Sequence, residues 1–369
     1  MRGKVPRPRN SLPPCLCSYF TLQALTGHCR RQQLVLKMAM NNNRSNFFII
    51  FRQLFQKSHF PQKTTMPNRR QVLATFATAA TTTSFAPIAP APSFVYCLNM
   101  STIRGQKLGF VKELETAAQA GFRSVEIWMD SFQEFLKKGG TVAEARQRLR
   151  DLGLQVEQSI GFAPWIVDDL ATRAQALDQL KPEMELLAQI GCKRIAAPPV
   201  GAQSPQSSRL DLRVVAERYR AILDLGDQTG VIPHLELWGF SRNLSRLSEV
   251  MYVAVESGHP SARLLLDVYH LYKGGSSLDS LALVGKPAIE VFHLNDYPAQ
   301  FPPATITDAD RVHAGDGVAP IRRILETIKN PNRAVVISLE VFNPAYYAQD
   351  PLQVAKTGLA KMKASAEGI

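Results

Sequence analysis

From residue 94 to the C-terminus, short apolar runs alternate with longer amphipathic stretches, and they do so eight times. Runs of four to seven residues rich in β-branched and aromatic side chains read as strands over 94–99, 124–128, 155–160, 194–197, 233–238, 262–267, 290–294 and 335–341. Between them, apolar residues at helical spacing predict helices over 110–120, 142–152, 171–190, 212–228, 244–257, 278–284, 319–328 and 352–364, with Gly121, Gly153, Gly191, Gly230 and Gly258 as helix stops. A strand that must be followed by a crossover helix pairs in parallel, and eight such units suffice to close the sheet on itself. The expectation is an α/β chain with one (β/α)8 barrel domain over 93–369. A doubly wound open sheet is the competing arrangement, but no glycine-rich phosphate loop follows the first strand.

Charge separates this body from what precedes it. The chain carries a formal net charge of +12, which on its face suggests nucleic acid or an anionic membrane. Residues 1–92, however, hold thirteen Lys/Arg and no Asp or Glu, so the barrel region is left with thirty basic against thirty-one acidic side chains. A body of net charge −1 has no electrostatic claim on a phosphate backbone. No stretch has the length and apolarity of a membrane span, so stable membrane insertion is not expected either.

The leader divides again. Residues 1–65 show no coherent period and read as disordered, or as an extension upstream of a start at Met66. Residues 66–92 place Arg69 and Arg70 before an Ala/Thr-rich segment and an Ala-x-Ala site at Ala89 and Ala91, the layout of a twin-arginine signal peptide. This predicts export to the periplasm or beyond, with a cytoplasmic location if the segment is no signal. Cys15, Cys17 and Cys29 lie in the leader; Cys97 and Cys192, on or near predicted strands, have neither zinc spacing nor a disulfide framework and read as buried thiols.

Four strand ends carry chemistry. Glu236 ends the fifth strand in HLELWG, Asp267 the sixth in LLLDVYH, His293 lies near the end of the seventh in VFHLNDYP, and Glu340 near the end of the eighth in VVISLEVF. Each alone reads as an ion-pair partner, a helix cap or a surface turn. Together, on consecutive strands, two glutamates, an aspartate and a histidine make an oxygen/nitrogen ligand set for one divalent metal. Parity supports convergence: Glu236 shares a face with His234 and Trp238, Asp267 with Leu265, His293 with Val291 and Glu340 with Ser338. If these faces point inward, the four meet at the C-terminal mouth, where barrel enzymes work.

Further candidates surround them. His270, in the turn after the sixth strand, suits a substrate hydrogen bond. Glu126, in SVEIW on the second strand, suits a sugar hydroxyl or an ion pair. Trp128, Trp165 and Trp238 fall at or past strand ends, where an aromatic ring makes a wall for a sugar. Arg311 and His313, in the polar loop DADRVHAGDG, suit a substrate oxygen or phosphate.

With these segments in hand, residues 94–369 resemble the sugar phosphate isomerase/epimerase family of xylose isomerase-like TIM barrels, which includes ketose 3-epimerases, inosose dehydratase and hydroxypyruvate isomerase. The resemblance implies that Glu236, Asp267, His293 and Glu340 hold one divalent ion, commonly manganese, with magnesium, cobalt or zinc as alternatives. It implies that His270 and Arg311 contact substrate, which adds to the reading of Glu126 and Trp238 above as substrate-binding candidates. Glu236 and Glu340 would then be the acid/base pair that moves a proton next to a carbonyl through a metal-stabilised enediolate. The expected activity is isomerisation or epimerisation of a small-molecule sugar or cyclitol. An inosose dehydratase-like lyase and a non-catalytic sugar-binding barrel are the alternatives, and a homo-oligomer is compatible with all three. A metal-dependent AP endonuclease of the same superfamily resembles this chain at His293–Asp296 and Asp310–His313. It needs further histidines from earlier strands, and no histidine occurs between His59 and His234.

Overall fold

A computed structural model describes residues 92–369, so the twin-arginine motif and the 1–65 segment lie outside the described residues. The eight strands are β1 (Phe94–Asn99), β2 (Ser124–Trp128), β3 (Gln155–Ile160), β4 (Arg194–Ala197), β5 (Ile232–Glu236), β6 (Arg263–Asp267), β7 (Ile289–Leu294) and β8 (Val335–Leu339). They form a closed barrel in sequence order, every neighbouring pair parallel, with β8 returning to β1. The chain is thus an α/β protein with the TIM-barrel fold. Among the described residues no helix is long and apolar enough to cross a membrane.

Several helices start where a side-chain oxygen caps them. Thr141 accepts from Glu144 N (3.1 Å) ahead of Val142–Asp151, and Asp169 accepts from Thr172 N (2.7 Å) ahead of Leu170–Gln189. Several features depart from the sequence expectation. The helix expected over 278–284 is a short 3-10 helix, Leu278–Leu283, with Gly285 and Pro287 following at once, and a helix not expected from the sequence, Met129–Lys137, follows β2 directly. His270, expected in a turn, lies in a short helix, Val268–Lys273, capped by Asp267.

Inside the barrel the side chains fall into layers. Cys97, Ile160, Ala196, Leu265, Val291 and Val336 form a dry cluster of their own at its centre, which places Leu265 and Val291 inward with Asp267 and His293, as strand parity requires. Below it, toward the N-terminal ends of the strands, charges are paired. Glu290 receives Arg194 (2.9 Å), Arg263 (2.8 Å) and Arg333 (2.9 Å), and Arg194 also reaches Glu157 (3.2 Å). Above the cluster lie the strand ends with their acids. Two irregularities tune that end. An extra residue in β3, Glu157, brings Gln158 opposite Glu126, and a register shift between β6 and β7 sets Asp267 opposite His293.

Candidate functional site

Asp267, His293 and Glu340 each bring one ligand atom within 4.8 Å of the other two, and all three are buried. His293 Nδ1 lies 3.1 Å from Glu340 Oε2 and 3.9 Å from Asp267 Oδ2, yet it has no hydrogen-bond partner. A buried imidazole nitrogen without a partner, facing two carboxylates, fits a cation and is costly otherwise. The donor set of two oxygens and one nitrogen suits zinc as well as manganese. Glu236 is also buried at the end of β5 but stands outside this trio.

The carboxylates differ in their protonation. Burial pushes Glu236 up to about 8, opposed by His293 and reinforced by Glu340. Burial raises Asp267 to about 6, with the Arg311 guanidinium pulling the other way. Glu340 is buried too, but His293 and Arg311 together hold it below the usual carboxylate range. Asp267 serves twice. Its Oδ1 accepts from His270 N (2.8 Å) as a helix cap, while its Oδ2 accepts from Asn295 Nδ2 (2.8 Å) and faces the trio.

Arg311 is locked among these groups. Its Nη1 donates to Glu340 Oε2 (2.8 Å) and Asp267 Oδ2 (3.3 Å), its Nη2 pairs with Asp308, and its guanidinium lies 4.2 Å over the Tyr269 ring. His270 is buried against it, Nε2 to Nη2 at 3.3 Å, and Gly239 N–H points to its Nδ1 at 3.3 Å. Burial first, and then the arginine charge, drive His270 well below its ordinary value, so the ring is neutral. Both partners are N–H donors and a neutral imidazole has one lone-pair nitrogen, so only one of the two contacts is a hydrogen bond.

Several sequence expectations change. Glu126 does not face the mouth: it is fully buried behind His293, and its oxygens take Gln158 Nε2 (2.8 Å), Ser338 Oγ (2.6 Å) and His293 Nε2 (3.0 and 3.1 Å). A carboxylate so surrounded has no room for a substrate hydroxyl. Trp165 is core, its Nε1 donating to Pro198 O (2.9 Å) and its ring packed on Tyr219. His313 turns away to stack on Tyr346 with ring centroids 4.3 Å apart. Trp128 and Trp238 do stand at the mouth, linked by Phe162, at centroid distances of 5.2 and 6.4 Å. Phe240 and Phe342 extend the wall on either side. Phe162 and Phe240 remain 38 and 40% exposed, as a surface that meets a ligand would be.

Sequence reasoning missed Asn99, whose Nδ2 donates to Glu340 Oε1 (3.1 Å), and Asn295. Asn295 sits inside HLNDYP and Asn99 ends β1, so position at a strand end was the signal available for both.

The model of the xylose isomerase-like TIM barrel family matches residues 114–365. The inosose isomerase of Bacillus velezensis is 25% identical over 265 residues, covering 70% of this chain and 94% of that protein. Among solved structures, the IolI protein with a zinc atom has a TM-score of 0.67 at 21% identity, over 74% of this chain and 98% of the other. D-psicose 3-epimerase, crystallised in the presence of D-fructose, has a TM-score of 0.61 at 17% identity, over 74% and 100%. The family match spans more than half of the chain and lies over the strands that carry the acids, and the chain belongs to the xylose isomerase-like TIM barrels.

Proposed function

We propose that this chain is a divalent-metal-dependent isomerase or epimerase of an uncharged, ring-shaped polyol ketone, a cyclitol ketone or a ketose in ring form. The observation that carries the reading is the buried Asp267–His293–Glu340 trio at the barrel mouth, with His293 Nδ1 left without a partner. A divalent cation held by these three, with Glu236 within the same mouth, would supply the positive charge that draws electrons from a substrate carbonyl.

The rest falls to side chains. Glu340 is ionised and so is suited to take the proton from the carbon beside the carbonyl. Glu236, raised to about 8, is suited to hold a proton and return it. Return to the opposite face gives an epimer, and return to the neighbouring carbon an isomer. Asn99 and Arg311 fix the Glu340 carboxylate from two sides. The aromatic wall supports an apolar ring face. Arg311 is committed as above and Arg104 pairs with Asp130 while stacked 4.0 Å over Trp128, so neither is free for a phosphate, which disfavours a phosphorylated substrate. The inosose isomerase relatives support the cyclitol side of this reading.

Solvent deuterium exchange into inososes and ketoses, with zinc or manganese added, tests it. The expected result is incorporation at a carbon-bound position by the wild type, with Glu340→Gln slower by about 10²–10⁴-fold and still folded. No exchange into any of these substrates would reject the reading, and a product lighter by one water would identify a lyase instead.

A further inference from the structure

One buried carboxylate in the barrel touches neither the mouth nor the open side of the three-residue cluster. Glu126, on β2, receives three donors from three other strands: Gln158 from β3, His293 from β7 and Ser338 from β8. All four side chains are fully buried. Since the carboxylate can only accept, the proton between it and His293 sits on Nε2. That leaves Nδ1, the nitrogen pointing toward Asp267 and Glu340, as the one that would offer a lone pair when a cation takes the place of a proton there. The other tautomer would put a proton where a cation has to bind.

We propose that Glu126 is a positioning residue, which by accepting the His293 Nε2–H fixes the ring and its tautomer so that Nδ1 is the metal ligand. The supporting parts are themselves placed by the backbone. The extra residue in β3 brings Gln158 opposite Glu126, and Ser338 lies two residues before Glu340 on the inward face of β8. One carboxylate thus ties the ligand histidine to the strand that carries the ligand glutamate. An outer carboxylate of this kind also strengthens the imidazole as a donor, and its loss typically weakens metal binding by about 10–100-fold. This inference rests on the metal reading given above.

The test is zinc titration of the full chain against a chromophoric chelator, together with NMR of ¹⁵N-histidine-labelled protein. The His293 Nε2–H is identified by its loss in His293→Ala. In the wild type it is expected as a downfield, slowly exchanging proton; in Glu126→Gln that signal is lost and the zinc Kd rises by about 10–100-fold. A plain packing role would lower the melting temperature of the zinc-free protein but leave the Kd where it was. Glu126→Gln binding zinc within twofold of the wild type therefore overturns the proposal. Should that variant not fold, Ser338→Ala decides, since it keeps the carboxylate and removes one anchor. It is expected to weaken zinc by about 2–10-fold, and unchanged affinity would overturn the proposal. A wild type that takes up no zinc at all overturns the metal reading and this inference with it, an outcome distinct from equal binding by wild type and variant.

Discussion

Gly239 shows how a single hydrogen atom in place of a side chain can set up this site. It lies three residues past Glu236, where the loop leaving β5 presses on the helix Val268–Lys273. A Cβ there would stand 2.3 Å from the His270 carbonyl oxygen and 2.7 Å from Gly274 N, both backbone atoms with little freedom to yield. Gly239→Ala is therefore expected to cost about 1–3 kcal/mol and to shift His270. A chemical denaturation curve measures the first, and a raised KM the second. An unchanged midpoint would show that the loop moves aside freely. Asp267 teaches the complementary lesson about reading residues from sequence. An acid at the end of a strand is ambiguous between helix cap and ligand, and here one oxygen caps the helix while the other faces His293 and Arg311.

At the scale of elements, the mouth is made by loops whose conformation the alternating pattern does not encode. The strands were legible because apolar runs between polar stretches have one stable use, burial on both faces of a parallel sheet. Strand parity also placed Asp267 and His293 inward. Partners across the barrel were not legible: Glu126 looks like a mouth residue on β2, and only the register with β3 and the side-chain contacts from β7 and β8 show it behind His293. Phe162, Phe240 and Phe342 were missed for the same reason, since aromatic residues after a strand are more often core. Phe240 tests the wall. It is 40% exposed and packs on Trp238 at 5.3 Å, so Phe240→Ala should leave the fold and kcat nearly unchanged. KM should rise by about 2–10-fold, the worth of one aromatic contact, as steady-state kinetics on an exchanging substrate would show.

In the molecule as a whole, chemistry and stability occupy opposite ends of one barrel. The lower end is held by Glu290 and its three arginines, which join strands β4, β6 and β7 to the entry of β8. Burial alone would raise the Glu290 carboxyl, but Arg263 and Arg194 bring it down to about 2. A folded-state value below the ordinary 4.5 means stability that is fully present above 4.5 and lost as pH falls from there toward 2. Glu290→Gln should thus destabilise the protein at neutral pH by about 1–3 kcal/mol, leave Arg263 and Arg333 without a carboxylate and Arg194 with Glu157 alone, and flatten the acid limb of its stability profile. Thermal melts at stepped pH values would show this, and an acid limb as steep as the wild type's would refute it.

Between the two ends lies the cluster of Cys97, Ile160, Ala196, Leu265, Val291 and Val336, every member at most 4% exposed. It floors the pocket with apolar side chains and one buried thiol. In the proposed reaction a proton lifted from carbon therefore passes among the carboxylates above that floor. Its exchange with solvent runs through the opening by which substrate arrives, so solvent deuterium should enter the product at a rate set by how tightly the aromatic rim closes over the ring.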